Sequence, residues 1–320
     1  MVPQASNSKF ILRGSISNNR LKSFEPLTLE TKALYDRCVG LMPRAMTSSL
    51  CFQSLYAWNF ALIVSYKVLN GHLCITASDT KTGEVFAFPP LGVLNGKSFA
   101  SAVHVIFGEF IRDGLTCVFQ EIPFFMLPYF SAIYDFKLYY SYNNNWSDYL
   151  FTKDDFEDGI RKKSSREALR SFERKFRPNV HEITSKDSSI VRAITQKYFC
   201  GARNCSDCLC GCELDVVSRM MEGWDALGMK GVIVGSEGEA IAFGSVCFQK
   251  DTMFFFSKKV RKSTRGLNEY LNSVLMENFA RDCKYINYSD DMGIDGLRAY
   301  KSRLGKHILL PKYMVRFSRR

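Results

Sequence analysis

The chain has 320 residues, enough for two domains of ordinary size, and its 46% hydrophobic and 14% aromatic content excludes an intrinsically disordered protein. Its net charge of +11 is one-sided: residues 1–160 carry 13 Lys and Arg against 14 Asp and Glu, whereas residues 161–320 carry 30 against 18. Such a field attracts polyanions, whether nucleic acid, anionic lipid head groups at a membrane surface, or phosphorylated cofactors. No apolar run approaches the length of a membrane span, and the polar start Met1–Ser8 lacks the apolar core of a secretory leader. A soluble cytoplasmic protein is expected, with its 11 cysteines present as thiols.

Residues 1–20 read as a flexible polar lead. Phe24–Leu27 predicts a short strand, and Thr28 caps a helix whose apolar face is Leu29, Ala33, Leu34 and Cys38. Ser48–Trp58 predicts an aromatic helix or turn. Three strands follow at Ala61–Leu69, His72–Ser78 and Val85–Phe88, separated by the hairpin turns Asn70-Gly71 and Lys81-Thr82-Gly83. Ser98–Arg112 predicts a helix with Phe99, Val103, Ile106, Phe107 and Phe110 on one face. Then come a strand at Thr116–Gln120, a short helix at Pro123–Phe130 and a strand at Tyr134–Tyr142. A charged helix over Asp154–Lys175 links to the second half. There the strand Val180–Ile183, the helices Lys186–Phe199 and Glu213–Leu227, and the strands Gly231–Val234, Ala240–Phe248 and Thr252–Phe256 follow. The regular helix Leu267–Cys283, the strand Lys284–Asn287, the helix Gly293–Leu304 and a closing strand Ile308–Phe317 complete the chain.

Both halves thus repeat one order: strand, two helices, three strands in hairpin order, helix, strand, helix, strand. That is the order of the GNAT acyltransferase fold. The expected architecture is α/β (α+β): two tandem GNAT-like domains, each a mixed sheet with helices on both faces. The boundaries are 21–150 for the first domain, 151–178 for a basic linking helix and 179–320 for the second domain, which carries the candidate site.

The candidate site is Ile286–Lys301, where Asp290, Asp291 and Asp295 gather around Gly293 and Gly296 before a basic turn with Arg298 and Lys301. Carboxylates at a strand's C-terminal end are a common way to build a site in such a sheet, although Asp and Gly also make ordinary turns and caps. The run Asn287-Tyr288-Ser289-Asp290-Asp291-Met292-Gly293-Ile294-Asp295-Gly296-Leu297-Arg298, with Lys301 and Lys312-Tyr313, resembles the C-terminal-domain family of phosphatidylglycerol lysyltransferases. Supporting matches are Ser49-Leu50-Cys51-Phe52, Leu55-Tyr56-Ala57-Trp58, Asp148-Tyr149-Leu150, Arg170 with Phe176, and Gly266 with Asn272. Three positions depart from the family pattern. A Glu-Lys pair is here Ser257-Lys258, the first acid after Asn287-Tyr288 is Ser289, and a Lys-Arg-Asn run is Leu169-Arg170-Ser171.

The resemblance implies transfer of an aminoacyl group from a charged tRNA to an amine or hydroxyl. It implies catalytic roles for Asp291, Asp290 and Arg298, and substrate or donor contacts from Asn287, Asp295, Lys301, Lys258, Arg265, Gly266, Asn272, Arg170, Asp148 and Tyr149. Two alternatives stand beside it: an acyl-CoA-dependent N-acyltransferase, and a silent polyanion-binding protein. The loop Ser263–Asn268 keeps only Gly266 of the small-residue signature that cradles the CoA pyrophosphate, which argues against acetyl-CoA. The basic stretch Arg161–Arg177 offers a phosphate-contacting face, or a solvated one. The cluster Cys200, Cys205, Cys208, Cys210 and Cys212 has the thiol density of a zinc or iron–sulfur site, but no distant pair or nearby His completes it.

Overall fold

The computed structural model describes residues 21–44, 47–202 and 212–319. The polar lead and Cys205, Cys208 and Cys210 lie outside these residues.

The first half opens with a two-residue strand β1 (Glu25–Pro26), the helix α1 (Lys32–Gly40) and the short helix α2 (Phe52–Ala57). Strands β2 (Leu62–Leu69), β3 (His72–Asp79) and β4 (Val85–Ala87) follow as an antiparallel meander. Helix α3 (Gly96–Arg112) buries Phe99, Val103, Ile106, Phe107 and Phe110, the face its periodicity marks out. Strand β5 (Val118–Pro123) pairs parallel with β4, and α4 (Leu127–Ser131) leads to β6 (Phe136–Tyr142).

The second half begins with a strand absent from the sequence reading, β7 (Asp148–Thr152). The single linking helix expected next is two, α5 (Lys153–Arg161) and α6 (Lys163–Phe176), because Lys162 adopts an extended ψ of 148° between them. Gly159 lets α5 touch the chain near Leu304: a Cβ there would lie 1.3 Å from the Leu304 carbonyl oxygen. Strand β8 (Asn179–Glu182), helix α7 (Ser188–Tyr198) and helices α8 (Glu213–Glu222) and α9 (Trp224–Leu227) follow, the last two separated at Gly223 where one helix was expected. The sheet then runs through β9 (Lys230–Ser236), β10 (Glu239–Gln249) and β11 (Thr252–Val260). Helix α10 (Leu267–Phe279), β12 (Tyr285–Asn287), α11 (Asp295–Arg303), β13 (Ile308–Leu310) and β14 (Lys312–Arg319) complete the described chain.

The elements form two seven-stranded mixed sheets, in the orders β1-β2-β3-β4-β5-β14-β6 and β13-β7-β12-β11-β10-β9-β8. The expected closing strand is therefore divided at Pro311. Ile308–Leu310 stays in the second sheet, while Lys312–Arg319 crosses over and inserts between β5 and β6 of the first. In the same way β7, which follows directly on the first half, inserts between β13 and β12 of the second. One buried cluster fills the first sheet and continues onto one face of the second through Met220, Trp224, Phe243 and Cys247. A second cluster packs the opposite face of the second sheet under α5, α6 and α10, around Phe156, Phe172, Leu271 and Leu275.

Candidate functional site

Strands β11 and β12 run parallel only from Thr252–Phe254 against Tyr285–Asn287. Beyond that point β11 continues to Val260, while the chain after Asn287 turns away, so the sheet splays open. Two groups of side chains gather on either side of this opening.

The first group fixes the turn after β12. Ser289 and Met292 hold φ values of 57° and 52°, and Gly293 follows at 73°. Two non-glycine residues in the left-handed region persist only where their surroundings hold them there: Ser289 donates its N–H to Asn287 Oδ1 at 2.8 Å and its hydroxyl to the Phe255 carbonyl at 3.2 Å, and the Met292-Gly293 corner is held by Asp291. Its carboxylate, 2% exposed, accepts from Tyr149 Oη at 2.7 Å, Arg298 Nε at 3.0 Å, Arg298 Nη2 at 3.1 Å and the Gly293 N–H at 2.8 Å. Burial pushes its pKa up, but these donors and the Arg298 charge outweigh it and keep it below the usual carboxylate value. With about four acceptor positions filled by protein donors, Asp291 is built to hold geometry rather than to take a proton. Arg298 also donates to Asn145 at 2.8 Å, and Asn145 packs where a Gly293 Cβ would project.

Behind the turn lies a second knot of charge. Lys312, the first residue of β14, places Nζ 2.8 Å from Asp148, 2.9 Å from Asp290 and 3.9 Å from Glu121. Asp148, fully buried, also accepts from the Ser48 N–H at 2.6 Å, Ser48 Oγ at 2.8 Å and Asn287 Nδ2 at 2.9 Å. Burial raises the Asp148 pKa, yet the Lys312 charge and these hydrogen bonds bring it below normal, whereas burial prevails at Glu121 and raises it. This knot ties together both crossed strands, the Ser48 turn of the first half and the motif turn of the second. Lys301 Nζ donates to the carbonyls of Tyr288 at 2.6 Å and Asp290 at 2.5 Å, and burial pulls its pKa down to about 8.

The second group lines the splay itself. Lys258, on β11, donates to Asn272 Oδ1 at 3.0 Å, Tyr288 Oη at 2.5 Å and Tyr300 Oη at 3.3 Å. Burial lowers its pKa to about 7 against the opposing charge of Glu269. Asn272 and Tyr300 form the inner wall of a cleft of about 650 Å³ between the end of α5, the start of α6, the start of α10 and the end of α11. Lys162, Arg265 and Arg303, all exposed, stand among its lining residues, and Glu269 is the one acid there. Gly266 opens α10 with φ of 85°, and a Cβ on it would lie 2.2 Å from the Ala168 carbonyl oxygen of α6.

The sequence-derived residues thus separate. Asp148, Tyr149, Asn287, Asp290, Asp291, Arg298 and Lys301 surround the motif turn; Arg265, Gly266 and Asn272 line the cleft, and Lys258 bonds Asn272 and Tyr300 from behind it. Asp295 is exposed in the first turn of α11, and Arg170 lies on the outer face of α6, opposite the buried Ala168 and Phe172. Cys200 and Cys212 are half-buried, and no group of metal-ligating side chains occurs among the described residues. Tyr300, in the wall of the cleft, Tyr288, buried behind that wall, and Lys312 and Glu121, central to the knot, were not singled out as site residues. Their partners lie up to 191 residues away in sequence (Glu121 to Lys312), beyond any spacing rule.

Two mixed sheets of this order, splayed at the parallel pair and covered by helices, define a tandem GNAT-like protein of the acyltransferase type. The family model described as phosphatidylglycerol lysyltransferase, C-terminal, matches residues 44–316, and the chain belongs to that family. No curated protein sequence matches it significantly. Among solved structures, a conserved protein of unknown function from Bacteroides thetaiotaomicron superposes with a TM-score of 0.83 at 18% identity, covering 92% of this chain and 99% of the other. L-PGS from Bacillus licheniformis gives 0.66 at 13% identity, with 92% and 93% covered. A tandem GNAT protein from the clavulanic acid biosynthesis pathway gives 0.51 at 11% identity, with 93% and 98% covered. No helix among the described residues is long and apolar enough to cross a membrane.

Proposed function

We propose that this protein transfers an aminoacyl group from a charged tRNA to an amine or hydroxyl acceptor, in the cleft between α6 and α10. The observation that carries this reading is the cleft itself: about 650 Å³ of space, Lys162, Arg265 and Arg303 among its lining, and a polar, uncharged inner wall of Asn272 and Tyr300. That volume lies within the range of about 300–1,000 Å³ that holds ligands of drug size, such as the aminoacylated terminal adenosine of a tRNA. The basic side chains take the phosphates of the donor's 3′ end, and the basic field of the second half steers the rest of the polyanion.

In the reaction the acceptor's nitrogen or oxygen attacks the ester carbonyl, the new C–N or C–O bond forms, and the bond to the 3′ oxygen of the terminal ribose breaks. The proton released by the nucleophile goes to that departing oxygen, which leaves as a hydroxyl. No protein base is needed for this balance, and the chain's contribution is orientation together with stabilisation of the oxyanion by the N-terminus of α10 and Arg265. The Asp291–Arg298 clamp and the Lys312 knot act at a distance from the cleft by fixing the turn that carries Tyr288.

The test offers the purified protein labelled aminoacyl-tRNA, or labelled acyl-CoA, with a panel of amine and hydroxyl acceptors. Label should move from the tRNA and not from acyl-CoA. The Arg265→Ala/Arg303→Ala variant should weaken tRNA binding and reduce the slope of log affinity against log salt by about 1–2. Transfer from acyl-CoA alone, or salt-sensitive tRNA binding with no turnover on any acceptor, overturns the proposal.

A further inference from the structure

The four edges of the two sheets are not alike. Strands β1, β13 and β8 close three of them with two, three and four residues, which is too short to seat another strand. The fourth edge is β6, seven residues long. It pairs with β14 from Phe136 against Arg319 to Tyr142 against Tyr313 with no shift of register, it contains no proline, and Lys137 is its one charged residue. Of the devices that keep an edge from pairing, it has only that lysine.

The exposed aromatic surface gathers at the same place. Apart from Tyr285, every exposed Phe, Tyr or Trp side chain among the described residues lies here: Tyr139, Tyr140 and Tyr142 on β6, Tyr134 just before it, and Phe124, which packs on Tyr313 of β14 beside Tyr142. Tyr139 and Tyr140, as neighbours on a strand, point to opposite faces of the sheet. A partner lying flat on one face, such as a stack of nucleic-acid bases, covers only one of them, and a single lysine in the strand offers it little phosphate contact. A strand added along the edge reaches both faces and takes up the unpaired backbone groups as well.

The strand is also its own complement. Laid antiparallel on a second copy about a two-fold axis at Tyr139, Phe136 meets Tyr142, Leu138 meets Tyr140, Tyr139 meets its own copy and Lys137 meets Ser141, so apolar side chains pair and no like charges are opposed. A hollow of about 400 Å³ beside Phe136, Leu138 and Tyr140 lies where the Tyr142 ring of the second copy arrives. Arg316, opposite Tyr139 on β14, then stands three strand spacings from its copy, about 14 Å, which is beyond the screening length. At about 200 Å² for a whole side chain, the exposed fractions of the four tyrosines amount to about 450 Å², over half of the about 800 Å² that each partner gives to an ordinary interface, before any backbone is included.

We infer that the chain forms a two-fold dimer by antiparallel pairing of β6 with β6 of a second copy, which joins their first sheets into one. The cleft lies in the second half of each copy, so this inference stands or falls independently of the transfer reaction.

Light scattering of the full chain after size exclusion, over about 1–100 μM, should show a mass rising toward twice 36.6 kDa. Tyr139→Asp sets two carboxylates against each other on the axis and should weaken association at least tenfold, whereas Tyr139→Phe should keep it within about twofold. Amide hydrogen exchange on the unaltered protein answers without any variant: the β6 amides should slow as concentration rises, and those of β1, β8 and β13 should not. A monomer at every concentration overturns the inference, and so does a dimer that leaves β6 exchange unchanged or that survives Tyr139→Asp. Slowing of β6 exchange by added tRNA in place of self-association overturns it as well, in favour of a nucleic-acid surface.

Discussion

Replacing Lys312 by Met tests whether the crossed strand is held by buried charge. Lys312 Nζ lies 2.8 Å from Asp148 and 2.9 Å from Asp290, and both Lys312 and Asp148 are almost fully buried. Met fills much of the same volume, so the loss is chiefly electrostatic. Asp148 keeps its three hydrogen bonds from Ser48 and Asn287 but loses its counter-ion. Removing one partner of such a pair costs about 3–5 kcal/mol. Urea unfolding followed by tryptophan fluorescence at pH 7 measures it. The Asp148 pKa is lowered on folding, so its contribution is present above the unfolded value and lost as pH falls through the folded one. The Lys312 pKa is raised by Asp148, Glu121 and Asp290 against the opposing effect of burial, so its contribution is present below the unfolded value and lost only as pH rises through the folded one. Neutral pH therefore lies where both are fully expressed, between unfolded values of about 4 and about 10. The double variant Lys312→Met/Asp148→Asn should recover part of the loss, because the orphaned charge at Asp148 is gone. A destabilisation below about 1 kcal/mol for Lys312→Met would refute the argument, since that is the size expected of a solvated pair.

Further outcomes follow from other parts of the molecule. Lys258 and Lys301 have folded pKa values of about 7 and about 8, below their unfolded value. The unfolded chain binds more protons there, so these two groups should make stability rise with pH from about 7 to about 10, and Lys258→Met should flatten the rise in a series of denaturant titrations. Gly159→Ala and Gly266→Ala, where a Cβ would meet backbone oxygen at 1.3 Å and 2.2 Å, should each lose about 2–3 kcal/mol in the same assay. Gly108→Ala on α3, where a Cβ meets nothing within 4 Å, should be neutral or gain up to about 1 kcal/mol. Ending the chain after Leu310 removes β14 from between β5 and β6 and should leave the first half open to proteolysis, although every residue of residues 21–142 is retained.

Much of the element order was legible because it is written locally. The apolar faces of α3 and α10 repeat at helical spacing, and the hairpin turn Asn70-Gly71 carries the residues that left-handed φ values favour. The motif turn was legible as a place but not as a mechanism. Asp291 reads equally well in sequence as a base or a cap, and only its four donors decide which it resembles more. The break at Lys162 is marked locally only by the weak helix formers Asp158-Gly159 and Ser164-Ser165 on its two sides. In the structure α5 ends where Lys162 turns extended, with Gly159 packed against the Leu304 carbonyl more than 140 residues away.

By itself the amino-acid sequence determined the kind of protein this is: strand and helix periodicities, repeated twice, and a charge excess confined to one half. It could do so because propensity, hydrophobic period and turn chemistry act over a few residues. Tertiary structure alone decided that each sheet borrows a strand from the other part of the chain, and that Lys258, Asn272, Tyr288 and Tyr300 meet at the end of one cleft. Those contacts arise from burial and hydrogen-bond satisfaction between segments far apart in sequence, and no local pattern records which distant donor a buried acceptor will find.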